Sequence, residues 1–408
     1  MVKVAPQIGA ERGVVVIRKE GSVVVPAFLD LHCHLREPGQ PWKERVANAT
    51  AAAAAGGFGA ICAMANLHPA VDTVPRLRQV LSKNRSLGRI PILQFAACTA
   101  GLQGQDPVEL DELLRAGAVG LSDDGRNAMS GELLATMLAR LDPHGVPLGV
   151  HPEDERVLAM ANEWASGDPA AWMTRPPQAE ETAVEDALEA ARRTGSGNLH
   201  LQHLTTARSA ELVRQAKAEG MPVTAEVTPH HLALDSFLDA PEPGALALTC
   251  NPPLRTRADR QALWEALLDG TIDAIASDHA PHEAATDPGQ PTAAGFSGVQ
   301  AALSVVLTLP GAMANLPRVV AALTTGPRAA LRRSSAGVPG HGVVEGMAAH
   351  LTWIDPLARW TPDGDSWLSG GANTPFWHQE LPGQVLATFS RGRTVFLNHV
   401  LDGSLEVD

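Results

Sequence analysis

Six residues of types that bind divalent metals stand at the ends of short apolar runs in this chain: His32, His34, Asp124, His151, His203 and Asp278. His32 and His34 lie two apart in an extended segment, so both side chains leave the same side of the strand and can grip one cation. Imidazole with carboxylate is a donor set suited to zinc, and four imidazoles with two carboxylates suffice for two ions that keep positions open for water. Two divalent cations lower the pKa of a shared water far enough to supply hydroxide near neutral pH. The chemistry expected of such a cluster is metal-assisted hydrolysis. A lone His-x-His is more often accidental than functional, so the weight rests on all six residues meeting in space.

For them to meet, the elements that carry them must bring their ends to one place. Short runs rich in Val, Ile, Leu and Ala occur at 27–35, 60–66, 91–98, 118–124, 147–151, 199–204, 222–227 and 273–278. They are continuous rather than alternating, as expected of parallel strands buried on both faces. Between them, helical spacing predicts helices that include 44–55, 132–141, 180–193, 207–219 (with Gly220 as its stop) and 257–268. Eight such alternations predict an α/β fold, a closed (β/α)8 TIM barrel, spanning 25–334. Its strands would end in His32 and His34, Asn66, Asp123 and Asp124, His151, His203, Glu226 and Asp278. In this architecture the site is built at those C-terminal ends.

The remaining segments, 1–24 and 335–408, are expected to form one small β-domain, with short strands at 342–347, 348–354 and 385–399 joined by Gly-rich turns. Asp287-Pro-Gly-Gln-Pro-Thr reads as a surface loop. The 408 residues carry 32 basic and 45 acidic side chains, a net charge of -13, which offers no long-range attraction to nucleic acid or anionic membranes. No apolar run reaches the roughly 18 residues of a membrane helix, and the opening Met-Val-Lys-Val-Ala-Pro lacks a signal-peptide layout, so a cytoplasmic protein is expected. Cys33, Cys62, Cys98 and Cys250 form no CxxC pair and read as buried reduced thiols.

Taken in order, His32-Cys-His-Leu-Arg-Glu-Pro-Gly, Ala54-Ala-Gly-Gly-Phe, Ser122-Asp-Asp-Gly, His151-Pro-Glu-Asp, His203-Leu-Thr-Thr, Glu226-Val-Thr-Pro-His-His-Leu, Asn251-Pro-Pro-Leu-Arg and Ser277-Asp-His-Ala-Pro-His resemble the motifs of the dihydroorotases. The similarity covers the whole barrel, and Asn373-Thr-Pro-Phe extends it into the C-terminal tail. The resemblance implies two zinc ions and the reversible closure of N-carbamoyl-L-aspartate to L-dihydroorotate in pyrimidine synthesis. It implies that His32, His34 and Asp278 hold the more buried ion, that His151 and His203 hold the other, and that Asp124 bridges them. Related cyclic-amide hydrolases bridge their metals with a carboxylated lysine at the end of strand four. The five lysines here (Lys3, Lys19, Lys43, Lys83 and Lys217) all lie elsewhere, and Asp-Asp-Gly resembles the bacterial subgroup that uses aspartate. Asp124 is chosen over Asp123 on its distance along the chain to His151.

By the same resemblance Asp278 is the proton-transferring residue, and Arg36 pairs with the substrate carboxylate through its planar fork. Asn66, Asn251, His282 and Gly295 are the further substrate contacts. His230, His231 and His279 read as supporting residues, and His68, His144, His200 and His341 as ordinary surface or core histidines. A small-molecule substrate is implied, with a homo-oligomer and aspartate carbamoyltransferase as protein partners. Three departures from the family pattern stand out: Met64-Ala-Asn-Leu-His-Pro, the segment Thr292-Ala-Ala-Gly-Phe-Ser-Gly where only Gly295 matches, and a short N-terminal arm. They leave two alternatives, a hydantoinase-, dihydropyrimidinase- or allantoinase-type cyclic amidase and a silent scaffold for aspartate carbamoyltransferase. Arg36 and the absent bridging lysine weigh against the first, and the retention of all six ligands against the second.

Overall fold

The computed structural model of the protein describes residues 15–17, 19–164, 175–236, 249–283, 293–338, 342–399 and 405–407. The 287–292 loop and His341 fall outside them. Strands β1 (Val15–Ile17) and β2 (Val23–Pro26) lead into eight short strands, each within one of the eight apolar runs or overlapping it. These are β3 (Phe28–Cys33), β4 (Phe58–Ala63), β5 (Ile92–Gln94), β6 (Leu121–Ser122), β7 (Leu148–Val150), β8 (Leu199–Leu201), β9 (Thr224–Val227) and β10 (Ala274–Ile275). All pair in parallel, β3 to β5 in one run and β6 to β10 in another. Bridges Ala96 to Leu121 and Cys33 to His279 join the two runs, so the sheet closes into a barrel.

Helices cover the outside because their apolar faces repeat at helical spacing. Helices Gly131–Leu141 and Ala207–Ala218 start on hydroxyl caps, Ser130 accepting from Leu133 N and Thr206 from Ser209 N. Helix Arg257–Asp269 starts on a capping box between Thr256 and Asp259. Helices Val46–Ala55, Val74–Leu87, Leu110–Ala116 and Gln178–Thr194, and those at Ala302–Leu307, Leu316–Leu323 and Thr325–Leu331, add to the covering. Inside the barrel, Leu29, Leu31, Ala60, Cys62, Phe95 and Ala274 belong to a buried cluster distinct from the larger shell between strands and helices. Fully burying a Leu or Phe side chain contributes about 1.5–3 kcal/mol, so this plug holds the strand ends above it in place. All four cysteines are buried and none is in a disulfide.

Strands β11 (Leu351–Trp360), β12 (Leu381–Ser390) and β13 (Arg393–Leu397) form an antiparallel sheet with β2, and β14 (Leu405–Val407) pairs with β1. Chain from both ends thus builds the small β-layer. Hydroxyls fasten it to the barrel: Thr352 Oγ1 donates to Gly57 O, Thr388 Oγ1 to Ala54 O at 2.7 Å and Ser390 Oγ to Gly59 O at 2.8 Å. Gly57 must be glycine, since its φ is +91° and a Cβ would sit 2.8 Å from the Phe28 ring. One expectation fails: residues 342–347 form bends and a turn instead of a strand. Apart from 342 and 343 they are exposed, and they belong to none of the sheets among the described residues. No helix among the described residues is long and apolar enough to cross a membrane.

Candidate metal and substrate centre

The strand ends deliver all six metal-type residues to one mouth. On β3, two residues (Leu31 and His32) stand opposite one of β4 (Cys62) between the pairs Asp30–Ile61 and Cys33–Ala63, a one-residue bulge that re-aims the histidine end of the strand. His32 Nε2 lies 3.2 Å from Asp124 Oδ1 and 3.6 Å from Asp278 Oδ1. His34 Nε2 lies 3.0 Å from Asp278 Oδ1 and 3.5 Å from Asp124 Oδ2. On the other side of Asp124, His151 Nδ1 and His203 Nε2 approach its Oδ1 at 3.6 and 3.4 Å, and the two rings are 2.9 Å apart at those nitrogens. Ligands about 2.0–2.1 Å from a tetrahedral ion stand about 3.4 Å from one another, so these spacings fit metal donors. His32 Nε2 and Asp124 Oδ1 are also buried with no hydrogen-bond partner, a costly state for the bare protein that a cation would relieve.

Asp123 and Asp124 are adjacent but face different partners. Asp123 turns away, accepting from the backbone of Cys98 at 2.7 Å and of Thr99 at 3.1 Å, and so braces the loop after β5. Asp124 is buried among imidazoles. Burial alone would raise its pKa, but the charge of His32 and contacts from His151 and His203 hold it well below the carboxylate range. Asp278 behaves alike: burial opposes ionisation, while His32 and His34 keep the carboxyl ionised.

Partners on the far nitrogens set which way each imidazole presents its lone pair. Glu226 Oε1 accepts from His32 Nδ1 at 2.8 Å, and its other oxygen accepts from His200 Nε2 at 3.1 Å. Burial pushes the Glu226 carboxyl up, yet the hydrogen bonds from His200 and His32 bring it down to about 2. Asn66 Oδ1 takes the proton of His34 Nδ1 at 2.9 Å while its amide donates to Asp124 Oδ2 at 3.2 Å. Glu153 Oε2 accepts from His151 Nε2 at 3.0 Å and pairs with Arg175 at 2.8 Å. Arg175 in turn donates to Asn251 Oδ1 at 2.6 Å.

A cavity of about 160 Å³ opens on this cluster, lined among others by Arg36, Asn66, Asn251, Asp278, His282 and Gly295. The structure therefore gathers all five expected substrate residues beside the six metal-type ones, although Asn66 and Asn251 already have their amides engaged. Arg36 donates to Pro281 O at 3.3 Å and has no carboxylate partner among the described residues. His282 lies with Nε2 3.1 Å from Ala294 O, its Nδ1 is buried without a partner, and burial with the nearby Arg36 and Lys43 charges lowers its pKa to about 3. Asn373 clamps this wall, accepting from His282 N at 2.8 Å and donating to Ala280 O and Gly295 O. Gly295, at φ +137°, packs where a Cβ would meet Ala280 Cβ at 2.6 Å. Arg36, His203 and Asp278 are themselves held at positive φ, a strained backbone state for non-glycine residues that collects at working sites.

His200, read from the sequence as a surface or core histidine, is buried and joins the His32–Glu226 chain. Its signal was available, since it lies three residues before His203 on a buried strand. Glu153, two residues after His151, could have been found the same way. Arg175 could not, because nothing local marks it. His68 is exposed and His144 pairs with Asp111 at 2.8 Å, both away from the centre. His231 bonds Thr228 and Pro252 O, and His279 contacts Glu44 at 3.3 Å, as supporting residues would.

A closed parallel barrel with four imidazoles and two carboxylates at its C-terminal mouth defines the class, the metal-dependent amidohydrolases. Solved structures agree on the fold: the L-hydantoinase (dihydropyrimidinase) of Arthrobacter aurescens matches with a TM-score of 0.81 at 23% identity, over 92% of this chain and 86% of that one. A dihydropyrimidinase from Brevibacillus agri matches with a TM-score of 0.78 at 22% identity, over 93% and 86% of the two chains. The dihydro-orotase-like family profile matches residues 21–157. A dihydroorotase of Anaeromyxobacter sp. (strain K) is 38% identical over 401 residues, 97% of this chain and 91% of its own length. That of Thermus aquaticus is 38% identical over 392 residues, 93% and 90% of the two chains. The chain belongs to the dihydroorotase family.

Proposed function

We infer that this protein interconverts N-carbamoyl-L-aspartate and L-dihydroorotate, with two zinc ions held by His32, His34 and Asp278 and by His151 and His203, and with Asp124 between them. The observation that carries the substrate assignment is Arg36, a half-buried guanidinium in the wall of the cavity with no carboxylate of its own. Desolvating such a charge is unfavourable unless a partner arrives with the ligand, and the ring carboxylate of dihydroorotate is that partner. Zinc bound there supplies Lewis acidity toward the ring amide carbonyl and water of lowered pKa.

The protein's own groups do the rest. Asp278, kept ionised beside His34, takes a proton during ring opening and delivers it to the departing ring nitrogen. In ring closure the same carboxylate removes the proton from the carbamoyl nitrogen. Neutral His282, whose Nε2 lies between Ala294 O and the Arg36 guanidinium, keeps an unpartnered Nδ1 for a hydrogen bond with the substrate. Glu226, Asn66 and Glu153 keep the metal-facing nitrogens of His32, His34 and His151 unprotonated.

The test compares L-dihydroorotate with dihydrouracil, the same ring without the carboxylate, on the parent and on Arg36→Ala. The expected result is a strong preference for dihydroorotate that Arg36→Ala abolishes through KM while kcat is largely kept. Equal turnover of the two rings by the parent would favour a hydantoinase-type activity instead.

A further inference from the structure

At the opposite end of the barrel from the histidines, where chain enters β5 and β6, lies a second cavity of about 550 Å³. Four arginines line it: Arg85 from the last turn of helix Val74–Leu87, Arg89 just beyond, and Arg391 and Arg393 from the β12–β13 hairpin. No Asp or Glu lines the cavity, and among the described residues none of the four pairs with a carboxylate. Arg89 donates to the Val395 carbonyl at 3.2 Å. In a chain of net charge -13 this is a local reversal of sign rather than part of a basic surface.

Four guanidiniums converging from two separate elements repel one another, so an empty pocket of this kind is electrostatically unfavourable and an anion in it is favoured. Guanidinium forks match phosphate oxygens in pairs. The lining also includes the half-buried apolar side chains of Leu81, Ile92, Val119 and Val395. Asn84 is buried with its amide on Gln94 and its Oδ1 unpartnered. A volume within the roughly 300–1,000 Å³ of small-ligand sites, lined by both guanidiniums and apolar side chains, suits a phosphorylated ring compound more than a flat protein contact.

We propose that this cavity binds a nucleoside phosphate, the phosphates on Arg85, Arg89, Arg391 and Arg393 and the base against the apolar side chains. The site is independent of the metal centre, so a ligand there acts as an effector and not as a competitor. Isothermal titration calorimetry on the intact, zinc-loaded protein tests it, with inorganic phosphate, pyrophosphate and the ribonucleoside di- and triphosphates as probes. At least one nucleotide should bind more tightly than pyrophosphate, bind equally with dihydroorotate present, and lose at least tenfold in affinity in the Arg391→Ala/Arg393→Ala variant. All four side chains are exposed, so that variant should fold, and an unchanged thermal midpoint checks it. Arg85→Glu, a single reversal on the other element, should lose at least as much. Absence of binding at millimolar nucleotide, displacement by dihydroorotate, or unchanged affinity in both variants would each overturn the proposal. Pyrophosphate binding as tightly as every nucleotide would overturn the role of the apolar side chains.

Discussion

Glu226→Gln isolates the orientation of the metal-type histidines from the histidines themselves. The parent carboxylate is 1% exposed and accepts two hydrogen bonds, from His32 Nδ1 at 2.8 Å and His200 Nε2 at 3.1 Å. Glutamine has the same shape but only one acceptor oxygen, and its amide nitrogen can only donate. One imidazole must then lose its partner or change tautomer, and a changed His32 would present a proton toward Asp124 where a lone pair is needed. A hydrogen bond to a charged group contributes about 1.5–3 kcal/mol. Losing the orienting partner of a metal-bound histidine costs about 10–100-fold in affinity or activity, about 1.4–2.7 kcal/mol, so the two scales agree. The assay is competition for zinc between the metal-free protein and a chromophoric chelator, with circular dichroism to show that the variant is folded. One of two zinc affinities should fall about 10–100-fold, and the other should hold. A folded variant with both affinities unchanged would refute the tautomer argument. A pH signature accompanies it in the metal-free protein. The folded-state pKa of Glu226, about 2, lies below its ordinary 4.5. Its stabilising effect is therefore complete above about 4.5 and lost as pH falls through about 2, and the stability gap between parent and variant should close over that interval.

Asp278→Ala should lower turnover in both directions by about 10²–10⁴-fold, while metal analysis still finds the ion at His151 and His203. Complete loss of both ions would mean that Asp278 acts chiefly as a ligand. Gly295→Ala forces a Cβ to 2.6 Å from Ala280 Cβ at φ +137°, a strain of about 1–3 kcal/mol. It should lower the thermal midpoint and raise KM for dihydroorotate, and an unchanged KM would detach the Gly295 wall from substrate binding.

The barrel was legible because its strands are buried on both faces, which leaves continuous apolar runs, most of them closed by a His, Asp or Glu. His32, Asp124, His151, His203 and Asp278 announced themselves by residue type and position. The supporting groups did not, since a hydrogen bond between His32 and Glu226 spans 194 residues and leaves no local pattern. Arg175 and Asn373 likewise act through contacts to Glu153, Asn251 and His282 that only the closed fold creates. The supposed strand at 342–347 shows the reverse error: apolar residues between glycines satisfy a local strand pattern, but pairing partners decide whether a strand forms. Helix Val74–Leu87 is marked mainly by Pro75 and by burial at Leu77, Val80 and Asn84, a spacing obscured by its many polar residues.

The central claim is metal-dependent interconversion of dihydroorotate and carbamoyl aspartate at the histidine-lined mouth. Its most direct test follows both directions spectroscopically with purified protein as isolated, after removal of metal by chelation, and after zinc is restored. Turnover in both directions that is lost on chelation and regained with zinc is the predicted result. A fully zinc-loaded protein that leaves both compounds untouched would contradict it.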